Sequence, residues 1–206
     1  MPRARSNQTH QSKSNRTSKL NRREQIIQAA AKLFREYGFN GTSIEDIAKH
    51  VNLTKGGIYN HIESKEELLY EIITRGIRQF LPALRDIKGS QGDLMDKFRR
   101  AVYSNVFMLA TYHDLISVFL QDKKSLSRQH YLKYLGFRDE VESIFKEMID
   151  QGMNEGVFRK ADVTLTTFAI LGMCNWVAQW YRREKGLPAE EIATFFADTA
   201  ETMLRP

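Results

Sequence analysis

Apolar residues recur at intervals of three and four along most of the chain, which is the spacing of side chains on one face of an α-helix. The first such stretch begins near Asn21, which with Glu24 three residues later suits a helix N-terminus, and it ends at Gly38. A second helix is predicted to begin at Ser43, and a short third one over residues 55–62 contains two adjacent glycines. The first helix has its apolar face at Ile26, Ile27, Ala30, Leu33, Phe34 and Tyr37.

A long fourth helix follows Ser64, because residues 64–67 have the form of a capping box. Pro82 lies within its apolar stripe, so we expect a bend or a weak point near that residue. No sustained alternation of apolar and polar residues indicates a strand. The predicted fold class is therefore all-α, with further helices at about 92–111, 113–121, 126–154, 162–184 and 189–204.

Residues 42–65 have the pattern of a helix-turn-helix, whose second helix enters the major groove of DNA. Asn52 occupies the turn, and asparagine is one of the few residues besides glycine that tolerate a left-handed backbone. Thr54 suits the N-cap of the second helix. Gly56 and Gly57 on that helix lack bulk, which lets it approach DNA closely. This segment predicts DNA binding.

The run over residues 42–69, TSIEDIAKHVNLTKGGIYNHIESKEELL, resembles the DNA-binding domain of the TetR family of bacterial regulators. The preceding helix also matches the family, with Ile27, Ala30, Leu33, Phe34, Gly38 and Phe39 in register. Asn52 and Ile62 depart from the family's usual glycine and phenylalanine. The resemblance implies a three-helix DNA-binding domain over residues 21–67 and a larger helical ligand-binding and dimerisation domain over residues 68–206.

The resemblance also implies which residues meet DNA. The residues that face the bases or the adjacent DNA backbone lie on the short helix, and the other residues contact phosphates. Tyr59 alternatively only packs the domain, and His61 alternatively is only exposed. Residues 20–70 carry seven cations and seven acids, so affinity depends on where cations lie rather than on bulk charge. The implied DNA-binding residues are Ser43, Thr54, Lys55, Gly56, Gly57, Tyr59, Asn60, His61 and Lys65.

Sequence-specific binding by one such domain calls for a dimer on two half-sites. Members of the family pair their last two helices with those of a second copy. In this chain those helices are rich in apolar and small residues, although they alternatively only build the core of one protomer. The expected dimerisation residues are Phe168, Gly172, Val177, Trp180, Ile192, Phe195, Phe196 and Ala200.

Sixteen of the 22 aromatic residues lie between Phe98 and Phe196. Taken together they favour an apolar cavity between helices, although for any single one of them ordinary core packing is the favoured interpretation. Tyr112 and Tyr134 belong to this aromatic group. The expected ligand-binding residues are Phe98, Val102, Phe107, Phe119, Phe137, Arg138, Val141, Phe168, Asn175 and Trp176.

Residues 172–176 and 180–182, GMCNW and WYR, resemble TetR members that sense acyl-CoA thioesters. The resemblance implies a homodimeric repressor that such a ligand, or another small hydrophobic molecule, releases from a palindromic operator. One alternative is control by a protein partner, which a filled core instead of a cavity would favour. Another is an activator. No cofactor is expected apart from the effector.

Charge and composition further narrow the functional class of the protein. Residues 1–23 hold seven cations and no acid, and residues 1–20 are predicted to be a disordered basic tail that either meets DNA phosphates or only keeps the protein soluble. Cys174 is the single cysteine, so a disulfide framework and a cysteine-based zinc site are excluded. No catalytic motif, signal peptide or membrane-length apolar run is present. We expect a cytoplasmic DNA-binding protein that is not an enzyme.

Overall fold

The computed structural model describes residues 6–182 and 186–206. Side chains are described from Asn21 onward, except those of Asp114, Ser117, Phe119, Leu120 and Gln121. No β-strand occurs among the described residues, so the all-α prediction is confirmed. The helices are α1 (Ser6–Gly41), α2 (Ile44–His50), α3 (Lys55–Tyr59), α4 (Lys65–Gly89), α5 (Leu94–Thr111), α6 (His113–Asp122), α7 (Arg128–Asn154), α8 (Val163–Trp180) and α9 (Ala189–Leu204), with a 3₁₀ turn at Lys123–Ser125.

The first helix begins at Ser6, upstream of the predicted start at Asn21. Residues 1–5 of the expected disordered tail lie outside the described residues, and the backbone of residues 6–20 is helical, which differs from the expectation. Between residues 6 and 20 the sequence contains neither glycine nor proline, so no helix-breaking residue separates this stretch from the helix that follows. Gly38 interrupts the helical backbone with a φ of 75°, a conformation that glycine adopts without steric cost.

The first of two cores joins α1, α2, α3 and the beginning of α4. Its fully buried side chains include Phe34, Ile47 and Ile58. Val118 of α6 and Leu126 just beyond the 3₁₀ turn also belong to this core. The DNA-binding domain is therefore packed against the larger domain through α6.

The second core fills the rest of the protein, with α5 at its centre in contact with α4, α7, α8 and α9. Phe98, Phe145 and Phe158 are its largest fully buried side chains. α4 extends into both cores, and it continues through Pro82 without ending there. Among the described helices, none combines the length and the apolar composition that crossing a bilayer requires.

Candidate DNA-binding and ligand-binding sites

The turn between α2 and α3 has the geometry that the sequence predicts. Asn52 adopts a left-handed backbone with a φ of 54°, and the Leu53 N–H donates to the Ala48 carbonyl oxygen at 2.8 Å. The Thr54 hydroxyl accepts the Gly57 N–H at 3.0 Å and so caps α3. These local bonds hold α3 at a fixed angle to α2, as a helix-turn-helix requires.

The outer face of α3 is free of the protein's own packing. Thr54, Lys55, Gly56 and Asn60 are exposed, and Tyr59 is 46% exposed. A Cβ atom added at Gly56 would meet nothing within 4 Å. A Cβ atom added at Gly57 would lie 3.3 Å from the Thr54 hydroxyl oxygen. Packing within the chain therefore gives no reason for a glycine at position 56. A role of Gly56 in close approach to DNA stays a prediction.

The cations near this face differ in what they touch. Lys55 Nζ lies 2.7 Å from a carboxylate oxygen of Glu45, and this hydrogen bond raises the pKa of Lys55. Lys65 Nζ instead lies 4.2 Å from the centre of the Phe39 ring, and partial burial lowers the pKa of Lys65. Lys65 is therefore held against its own domain, although the resemblance implies a phosphate contact for it. Both lysines remain predicted DNA contacts.

Two further residues expected at DNA also have structural roles. Ser43 caps α2 in a capping box with Asp46, in which the serine hydroxyl accepts the Asp46 N–H at 3.1 Å and the carboxylate accepts the Ser43 N–H at 2.9 Å. His61 is half-buried, and its carbonyl oxygen accepts a bond from Arg23 Nε at 3.2 Å. A role for either side chain at phosphate stays a prediction.

Helices α4 to α8 enclose a cavity of about 590 Å³. Its walls are mainly apolar, and among the described lining residues Arg138 and Glu142 of α7 carry charge. Arg138, Asn175 and Phe168 are exposed, so this side of the cavity, between α7 and α8, opens toward solvent. The residues of the expected ligand-binding region that line it are Tyr112, Tyr134, Arg138, Val141, Phe168 and Asn175.

The other expected ligand-binding residues lie elsewhere. Phe98 and Val102 are fully buried in the second core. Neither residue lines the cavity, because the cavity contacts α5 only from residue 105 onward. Phe107 and Phe137 pack half-buried against that core. Trp176 faces outward and is 64% exposed. The side chain of Phe119 lies outside the described part of the structure.

Much of the cavity wall consists of residues that the sequence does not single out. α4 contributes Ile73 and Phe80, and α6 contributes Leu115 and Ile116. Those apolar residues follow helical spacing, which does not distinguish a cavity wall from a filled core. Asn105 was also missed, although an asparagine between Val102 and Leu109 on an apolar helix face was a visible signal.

The outer surfaces of α8 and α9 carry large exposed apolar side chains. The exposed fractions are 68% for Leu165, 51% for Phe168, 64% for Trp176, 38% for Trp180 and 68% for Phe195. Gly172 is also exposed, and Phe196 is half-buried. Three expected dimerisation residues must be corrected, because they face the protomer's own core and are at most 6% exposed: Val177, Ile192 and Ala200.

The cavity wall and the DNA-binding domain share residues. Ile73 lines the cavity and belongs to the core of the DNA-binding domain. On α6, residues 115 and 116 line the cavity, while Val118 is buried in that same core. At the end of α6, the Asp122 carboxylate accepts the Phe39 N–H at 3.0 Å. A displacement of α6 would therefore act on the end of α1.

The beginning of α7 contacts the beginning of α4. The Glu66 carboxylate accepts the Ser127 N–H at 2.9 Å and lies 2.6 Å from His130 Nδ1. Although partial burial opposes it, the bonds from Ser127 and His130 lower the pKa of Glu66. The His130 ring also stacks on Tyr70, with 4.2 Å between ring centres. These contacts are a second connection between the two parts of the protein.

Comparisons with known proteins agree with this architecture. The model described as "Bacterial regulatory proteins, tetR family" matches residues 26–72, and the one described as "Tetracyclin repressor-like, C-terminal domain" matches residues 91–204. The HTH-type transcriptional repressor KstR2 of Mycobacterium tuberculosis is 27% identical over 175 residues, which cover 83% of this chain and 86% of that protein.

Two solved structures are similar over most of their length. The TetR family transcriptional regulator PfmR from Thermus thermophilus is 33% identical, with a TM-score of 0.79 over 88% of this chain and 99% of that one. AibR, solved in complex with isovaleryl coenzyme A and operator DNA, is 25% identical, with a TM-score of 0.73 over 90% of this chain and 98% of that one.

Proposed function

Because the chain belongs to the TetR family of DNA-binding transcriptional regulators, we propose that it is a cytoplasmic repressor released from its operator by a small hydrophobic ligand. One observation carries the proposal: Ile73 lines the cavity of about 590 Å³ and is buried in the core of the DNA-binding domain. A molecule in the cavity therefore touches the wall on which the DNA-binding domain rests.

Release works through a shift between two arrangements of the same protein. A ligand can shift that balance only as far as it prefers one arrangement over the other. Leu115 and Ile116 contact the ligand, and the α6 helix that carries them holds the end of α1 through Asp122. The arrangement that binds the ligand best has α6, and with it α1, in a position that no longer suits DNA.

An acyl thioester of coenzyme A is the ligand that we propose. The apolar walls suit an acyl chain, and the coenzyme A part extends through the opening past Arg138. Arg138 has a side chain that is 58% exposed and lies 3.3 Å from Asp139, so it remains accessible to a phosphate. AibR, which is similar in fold and sequence, was solved with isovaleryl coenzyme A.

The operator-bound form is a homodimer. Its interface is the exposed apolar stripe on α8, at Leu165, Phe168 and Trp176, together with Phe195 of α9. Large apolar patches exposed on a protein surface often mark interaction sites. Pairing there gives two α3 helices that fit successive major grooves about 34–36 Å apart.

Control by a protein partner is the second candidate, and the cavity favours a small molecule over it. Ligand pockets have volumes of about 300–1,000 Å³, and the cavity of about 590 Å³ lies within that range. A protein-controlled regulator has no need of such a space in its core.

Fluorescence anisotropy tests the proposal. The purified protein is mixed with labelled DNA from upstream of its own gene and titrated with hexadecanoyl-CoA and isovaleryl-CoA, with the matching free acids and with coenzyme A alone. We expect release by a thioester only. Specific DNA binding that no thioester reverses would refute the proposed ligand, and an absence of specific DNA binding would refute the repressor.

A further inference from the structure

Asn105 carries a buried side-chain amide that the rest of the described chain does not satisfy. The residue is 3% exposed and lines the cavity from α5, and its Nδ2 atom has no hydrogen-bond partner among the described residues. Nearly all buried polar groups in proteins are paired, and an unpaired one costs about 1–3 kcal/mol. A leucine would fill the same space without that cost, so stability does not explain the asparagine.

Other polar groups around the cavity differ from Asn105. The Tyr112 hydroxyl donates to the side-chain oxygen of Gln79, and Arg138 bonds Asp139 at 3.3 Å. Asn175 and Gln179 line the cavity but are exposed to solvent. Asn105 is thus the buried amide of this wall whose donor is left for a molecule inside the cavity.

The chemistry of the missing partner follows from the surroundings. An amide N–H needs an acceptor. The next turn of α5 contributes Met108 and Leu109 to the wall, and the charged lining residues are on α7, near the opening. A carboxylate beside Asn105 would have to leave water for a buried wall, which is very costly unless a cation pairs with it. A neutral carbonyl oxygen accepts the bond without that cost.

We infer that Asn105 determines specificity by donating a hydrogen bond from Nδ2 to a neutral carbonyl oxygen of the effector. The inference rests on the proposed function, because it takes the cavity as the effector site. It adds a requirement that the apolar walls do not impose: a ligand of the same length and shape without that carbonyl leaves the amide unpaired and binds more weakly.

Direct binding of matched probes tests the requirement, by calorimetry without DNA. S-hexadecyl-CoA has the chain but no carbonyl between chain and sulfur, hexadecanoyl-CoA has the thioester carbonyl, and S-(8-oxohexadecyl)-CoA has a ketone within the chain. We expect one of the two carbonyl probes to bind wild-type protein about tenfold more tightly than S-hexadecyl-CoA. The Asn105→Leu variant should bind all three with similar affinity.

Asn154→Leu is the matched control, since it makes the same substitution at an exposed position of α7 that does not line the cavity. It should keep the wild-type preference. Asn105→Leu should unfold at no lower temperature than wild type, because it removes an unpaired amide. Should it fail to fold, Asn105→Ala removes the donor without adding bulk and must lose the same preference.

The inference is overturned if wild type binds none of the probes, if it has no carbonyl preference, or if the preference survives in the Asn105 variants. Operator binding by the same preparations separates this inference from the proposed function. A preference that is lost in Asn105→Leu, in a protein that binds no operator, would support the inference and refute the repressor. Thioester-dependent release with no role for Asn105 would do the reverse.

Discussion

A single methyl group added at Gly152 tests the packing of the second core. A Cβ atom there would lie 2.6 Å from Cγ of Phe158 and closer still to two other atoms of that ring. Carbon atoms in contact lie about 3.5–4.0 Å apart, so the ring would have to move away. It has little room, because it is 1% exposed and its centre lies 5.4 Å from that of Phe98. Its backbone N–H also donates to the Gly152 carbonyl oxygen at 2.9 Å.

The magnitude follows from two opposing terms. Overpacking a well-filled core costs about 1–3 kcal/mol, and alanine gains about 1 kcal/mol over glycine in a helix. Because the buried ring cannot yield freely, the overpacking cost lies in the upper part of its range, about 2–3 kcal/mol, and we expect Gly152→Ala to lose about 1–2 kcal/mol of unfolding free energy. For a chain of this size that lowers the melting temperature by about 2–8 °C.

Gly136→Ala is the matched control on the same helix. Gly136 is exposed, and a Cβ there would meet nothing within 4 Å, so this variant should gain stability by up to about 1 kcal/mol. Thermal and urea unfolding are measured at one protein concentration, because the stability of any protein that dimerises depends on concentration. If Gly152→Ala proves as stable as Gly136→Ala, the described packing of Phe158 is wrong.

Three further predictions concern the binding surfaces and the thiol. Thr54→Val removes the cap of α3 and should weaken operator binding measured by fluorescence anisotropy. Ser64→Ala removes the similar cap of α4 at a comparable cost of about 1 kcal/mol and should leave operator binding unchanged. Equal losses of operator affinity in the two variants would refute a role of Thr54 at DNA. Phe195→Glu should shift the protein from dimer to monomer in analytical ultracentrifugation with its helical circular dichroism unchanged; a persistent dimer would place the interface elsewhere. Burial raises the pKa of Cys174 from 9.0 to about 12, so the thiol should resist a disulfide reagent at pH 8 until the protein unfolds, and rapid labelling of the native protein would contradict that burial. The free energy of unfolding should also fall as the pH rises from about 9 toward 12, because in that range the Cys174 thiol ionises only in the unfolded protein.

Features set by sequence neighbours could be predicted. The caps at Ser43 and Thr54 and the left-handed backbone of Asn52 depend on residues within three positions, and all occur in the structure. For the same reason, the predicted ends of the helices downstream of Asn21 lie close to the observed ends. The tail differs, because its composition predicted disorder and the backbone from residue 6 is helical.

Features set by packing could not be predicted. α8 is apolar on most of its surface, so periodicity could not tell that Val177 faces the protomer's core while Trp176 faces outward. The aromatic-rich region led to Phe98 as a ligand contact, yet the cavity begins about two helical turns further along α5, at Asn105. Which turns border a cavity depends on how five helices pack together, and no single stretch of sequence carries that information.

In the proposed mechanism the cavity and the DNA-binding surface are coupled, and reciprocal binding measurements test this coupling. Hexadecanoyl-CoA affinity is measured calorimetrically for the free protein and for the protein saturated with operator DNA. Linkage requires DNA to weaken ligand binding by the same factor as ligand weakens DNA binding. We predict equal factors of about tenfold or more. Ligand affinity that is the same with and without operator would refute this coupling.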